Sequence, residues 1–132
     1  MTRQKKIKLF TKYVNHYFHD IFKLTDYELL IHEQDKISAR ASTYSHPIED
    51  GANMVTICYS IDWIDKKDLE EIEIEKVAFH EVCETLLLKM CELAKCRYIM
   101  EREITETTHY IIRKLENIFF ENGKKLKSIP RI

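Results

Sequence analysis

Glycine and proline are scarce, with two of each in 132 residues. Few sharp turns can therefore form, and long regular elements are expected. Repeats, low-complexity stretches and linkers are also missing, so residues 1–132 read as a single domain. The four cysteines, Cys58, Cys83, Cys91 and Cys96, make no CxxC pair, which argues against a cysteine zinc knuckle. They read as reduced thiols filling the core. No stretch is apolar and long enough to span a bilayer. The basic start runs into an amphipathic segment rather than an unbroken apolar one, so no export signal is expected and the compartment reads as cytoplasmic. Strong net charge is missing too. The formal value of −1 gives no pull toward nucleic acid or membrane. Both ends are basic (Arg3, Lys5, Lys6 and Lys8; Lys124, Lys125, Lys127 and Arg131), and are read as solvated tails, with nucleic-acid contact as a third and weaker reading of the chain.

What the chain does hold is apolar residues, 45% of the total and enough for a real core. Phe10, Tyr13, Val14, Tyr17, Ile21 and Phe22 recur at helical spacing and predict a helix over about Lys6 to Lys23. His16 and His19 lie three apart on it, without an acidic partner at ligand spacing, and read as ordinary surface or satisfied histidines. Short strands follow at Tyr27–Ile31, Ser38–Tyr44 and Met54–Tyr59, with a loop at Pro47 and Glu49-Asp50-Gly51. They are expected to form a small, mostly antiparallel sheet. Asp65 or Asp68 caps a long, mostly buried helix reaching about Lys95. A last helix spans about Glu101 to Glu121, with Ile104, Thr108, Ile111, Ile112, Leu115, Ile118 and Phe119 as its inner stripe and Asn122-Gly123 as its stop. The order helix, strands, helix, helix is an α+β layout.

Chemistry concentrates on the long central helix. His80 and Glu84 are four apart and so sit one turn apart on one face, where two side chains can grip one ion. Glu81 lies about a quarter-turn away, within reach of a metal-bound water. This is the logic of the HExxH helix, in which two histidines hold zinc and the glutamate is the general base. Here the second histidine is a glutamate, giving HExxE. An open zinc site needs three protein ligands, and two histidines with one glutamate is a known set. His109, on the border of the last helix's apolar face, completes it; Glu106 and Glu101 are the substitutes. The competing reading is that histidine and glutamate are common on helices and an i, i+4 pair is an ordinary surface contact.

The segments Met54–Ser60, Ala78–Glu81 and Thr108–Asn117 are similar to those of small phage and prophage proteins described as metallopeptidases, which share a minimal zincin core with the SprT-like and ImmA/IrrE-like groups. The resemblance covers most of the chain. It implies a minimal zincin-like domain and a Zn²⁺-dependent hydrolase of peptide bonds in the host cytoplasm. His80 matches the first ligand, Glu81 the catalytic glutamate, and the last helix a source of the third ligand; Glu84 stands where the second histidine is usual. A peptide or protein is the expected partner, added to the edge of the Met54–Ser60 strand. The alternative is a zincin scaffold that binds and modulates a host or phage protein without catalysis.

Overall fold

The computed structural model describes residues 1–35, 37–47, 53–96, 98–121 and 124–125. Among these, the chain is a mixed α+β structure of five helices and a small three-stranded sheet, with a two-residue hairpin near the end. Helix α1 (Arg3–Asn15) is capped by Thr2, whose hydroxyl accepts the Lys5 amide at 3.2 Å. It runs directly into a π turn, His16–Ile21. The wider turn brings Tyr17, Phe18, Ile21 and Phe22 inward together, where an unbroken α-helix would spread them over more of its surface. Lys23 then takes a positive φ of 52° and ends the helix, a position where this glycine-poor chain uses a lysine.

Strands β1 (Tyr27–Gln34), β2 (Ala41–Pro47) and β3 (Asn53–Ser60) form the sheet in the order β1-β3-β2. The β2–β3 pair is antiparallel, as expected of neighbours in sequence. The β1–β3 pair is parallel, with Leu29 opposite Val55 and Ile31 opposite Ile57. The sheet is thus mixed rather than mostly antiparallel. The cause is that β2 takes one side of β3 and β1 the other, and alternation within single strands carries no sign of direction. Pro47 closes β2 instead of opening the loop; Glu49-Asp50-Gly51 lies outside the described residues.

Helix α2 (Ile61–Ile64) follows β3 at once, capped by Ser60, and ends at Asp65. Helix α3 (Glu71–Leu86) starts after Glu70, later than either predicted cap, because Asp65 closes α2 and pairs with Arg3 at 2.8 Å. The expected single helix to Lys95 is broken at Leu87, and α4 (Leu88–Lys95) is a separate piece. The Thr85 hydroxyl donates to the Glu81 carbonyl four residues upstream, a back-bond of the kind that bends helices. Helix α5 (Glu101–Phe119) ends before the hairpin β4 (Phe120–Glu121) and β5 (Lys124–Lys125). The predicted stop at Asn122-Gly123 lies outside the described residues.

The core sits between the sheet and the α1/α3 pair. Phe10 meets Tyr59 and Trp63 edge-on at 5.5 and 5.9 Å, and Val55, Ile57, Ile74, Val82 and Phe18 are fully buried around them. Of the cysteines, only Cys58 is buried; Cys83 is half-buried and Cys91 and Cys96 are exposed, so the core-filling role holds for one of four. No helix among the described residues is long and apolar enough to cross a membrane.

Candidate metal centre

The HExxE segment lies in the second half of α3, where the helix crosses the edge strand β2. Val77, Ala78 and Val82 turn inward and anchor this stretch in the core. That fixes its rotation and places His80 and Glu84 outward, one turn apart. His80 Nε2 stands 3.3 Å from Glu84 Oε1, with side chains 70% and 49% exposed. Glu81 is different. It points between helix and strand and is only 4% exposed. Thr43, from the middle of β2, donates its hydroxyl to Glu81 Oε2 at 2.5 Å. The ligand atoms of His80, Glu81 and Glu84 all lie within 4.8 Å of one another.

The electrostatics follow from that placement. Burial disfavours a charged Glu81, and the nearby Glu84 carboxylate adds repulsion, so its carboxyl is pushed up to about 7 against the pull of the Thr43 hydrogen bond and of His80. The two glutamates are close enough to share a proton. A cation beside them and the imidazole would remove the same repulsion, and nitrogen and oxygen donors of this kind suit several divalent ions. On donor chemistry and spacing, these three residues fit a divalent ion. Beside them a small cavity of about 120 Å³ is lined by Ala39, Arg40, Ala41, Val77, His80 and Glu81. It opens the group to the start of β2.

His109 is not brought to this group. It is exposed on α5, α5 packs on α4, and His109 is not among the ligand atoms gathered around His80 and Glu84. Glu101 and Glu106 on the same helix are exposed as well, and Glu106 pairs with Arg102 at 2.9 Å. The histidines of the π turn also depart from expectation. His16 does have an acidic partner at ligand spacing, since its Nδ1 is 3.1 Å from Asp20 Oδ2.

Protein-family models, curated proteins and solved structures were all compared with this chain, and none matches. The site therefore rests on its own geometry. The residue that sequence reasoning missed is Thr43. Nothing in the strand pattern distinguishes it from Ser42 or Ser45; only the packing of α3 on β2 gives it a carboxylate to hold.

Proposed function

We propose that His80 and Glu84 hold a zinc ion on a minimal zincin-like domain, with Glu81 beside it as general base, and that the domain hydrolyses peptide bonds. The observation that carries this reading is the split environment of one three-residue group. Two exposed donors, His80 and Glu84, share it with a buried carboxylate, Glu81, held from behind by Thr43. Zinc, when bound, supplies a Lewis acid and makes its water easier to deprotonate. The protein's own residues supply the rest. His80 and Glu84 hold the ion. Thr43 occupies Glu81 Oε2 and so leaves Oε1 to accept a proton from water and pass it to the leaving amine. A carboxyl raised toward neutrality is well matched to both halves of that exchange.

An extended peptide, on this reading, is added at the edge of β2 rather than of β3. Strand β3 is hydrogen-bonded on both sides and has no free edge. Among the described residues β2 pairs with β3 alone, so its outer edge, beside the Ala39–Ala41 wall of the cavity, is the one that can take an added strand next to Glu81.

One observation favours the non-catalytic alternative. Among the described residues the group holds one histidine, not two, and His109 stays outside it. Zinc content and cleavage of a broad peptide library, measured for the wild type and Glu81→Gln, separate the two readings. For a hydrolase, the variant keeps its zinc and loses cleavage by ~10²–10⁴-fold. Zinc in both proteins with cleavage in neither leaves a binding scaffold. No zinc in either overturns the site itself.

A further inference from the structure

A second cavity adjoins the one beside the HExxE group. It has a volume of about 230 Å³ and lies where β3 runs into α2, with Ser38, Arg40, Asp62, Trp63 and Lys66 in its wall. Ala39 and Arg40 line both cavities, so the segment just before β2 stands between the two. Among the described residues, the Arg40 guanidinium and the Lys66 ammonium have no ion-pair or hydrogen-bond partner, although Asp62 lines the same pocket. Arg40, Asp62 and Lys66 are exposed. Trp63 is the opposite, 3% exposed and set edge-on against Phe10. Its indole N–H has no acceptor, and among the described residues it is the one buried side-chain polar atom left so. A buried donor without a partner is uncommon and points to a group that the chain itself does not supply.

We infer that this pocket is a carboxylate-binding subsite, which takes an acidic side chain of the peptide whose bond lies at Glu81. Its wall holds two cations and one carboxylate, so the net field favours an anion. Arg40 offers a planar fork that matches the two oxygens of a carboxylate, and Lys66 adds a second positive charge. The indole N–H of Trp63 donates and cannot accept, so it too suits an oxygen rather than an ammonium. Thr43, which holds Glu81, follows Arg40 by three residues, about 10 Å along an extended chain. A peptide added to the outer edge of β2 therefore brings to the pocket a side chain about three residues from the scissile bond. That the carboxylate belongs to a peptide rests on the hydrolase reading of the neighbouring site; that the pocket takes a carboxylate does not.

Trp63 is the single tryptophan of the chain, so its fluorescence reports on the pocket whether or not zinc is bound or a bond is cut. The probes are blocked alanine pentapeptides with glutamate, glutamine or lysine at the centre, and the glutamine peptide again with a free C-terminal carboxylate. The glutamate peptide should shift the emission and bind on the order of 10-fold more tightly than its blocked glutamine counterpart. Arg40→Gln and Lys66→Gln change exposed side chains, so melting should stay as in the wild type while the preference for glutamate is lost. Asp62→Asn should strengthen that preference. Equal binding of the glutamate and glutamine peptides, or a preference for lysine, overturns the subsite. So does a glutamate preference that survives both substitutions, or an emission that no peptide moves up to its solubility limit. Tightest binding by the free-carboxylate peptide overturns the acidic side chain as the ligand. A glutamate preference without cleavage of any peptide supports the subsite and removes the hydrolase; cleavage without the preference does the reverse.

Discussion

Helices α3 and α5 carry apolar stripes that look alike in the sequence, yet the molecule treats them in opposite ways. Along α3, Ile74, Val77, Ala78, Val82 and Leu86 are buried between α1 and the sheet. Along α5, Ile118 is the one described residue that is buried, with Tyr110 packed half-buried against the core. What holds α5 in place is polar. Tyr110 donates to Asp26 Oδ1 at 3.1 Å, Lys89 reaches Asp26 Oδ2 at 2.8 Å and lies over the Tyr110 ring at 3.9 Å, and Lys114 donates to the Lys23 carbonyl. Burial and the Asp26 charge push the Tyr110 hydroxyl well above its usual range, which keeps it a donor. A periodic stripe thus states that a face needs cover; which element supplies the cover is decided elsewhere in the chain.

The contrast can be broken at its strong end first. Phe10 is fully buried at the junction of α1, the sheet and α2. Phe10→Ala should cost about 3–5 kcal/mol of global stability in a denaturant titration. A loss no larger than that of an exposed residue would mean that the α1–sheet junction is not the core.

The next effect is smaller and depends on pH. Folding raises the Glu81 carboxyl from about 4.5 to about 7, so the fold favours its protonated form. The stabilisation from this group is complete below pH about 4.5 and is lost as pH rises through about 7. In metal-free protein, Glu81→Gln should remove that loss. The variant should gain on the wild type by on the order of 2 kcal/mol between pH 5 and pH 8. Parallel stability curves for the two proteins would show that Glu81 is not buried in the way described.

The smallest effect sharpens the comparison at its weak end. Tyr110→Phe deletes one hydrogen bond of the clasp and should cost about 1 kcal/mol. Its signature is local: hydrogen exchange should quicken in α4 and α5 while α1, α3 and the sheet stay protected. Equal quickening throughout would show that the two regions unfold as one.

The same contrast explains what was legible in the sequence. Helix-forming periods and the strand Asn53–Ser60 were plain because local spacing determines them. His80, Glu81 and Glu84 were legible for that reason: once the segment is helical, the geometry of one turn fixes their separation. Whatever depends on how elements meet was hidden. The parallel partner of β3, the break at Leu87, the hold of Thr43 on Glu81 and the distance of α5 from the HExxE face all arise from tertiary packing. The placement of His109 belongs to this second group, since a position on the border of an apolar stripe does not say toward which neighbour the stripe turns.

The parallel pairing of β1 with β3 also orders events in time. The β2–β3 pair joins neighbours in sequence, whereas β1 must find β3 past an intervening strand, with His32 and Cys58 meeting across 26 residues. Longer closures are slower, so the hairpin forms early and β1 joins late. The Thr43–Glu81 bond spans 38 residues and needs both the hairpin and α3 in place. A refolding chain can therefore wind its HExxE helix before that helix docks on β2, and Thr43 takes hold of Glu81 only when the two elements meet.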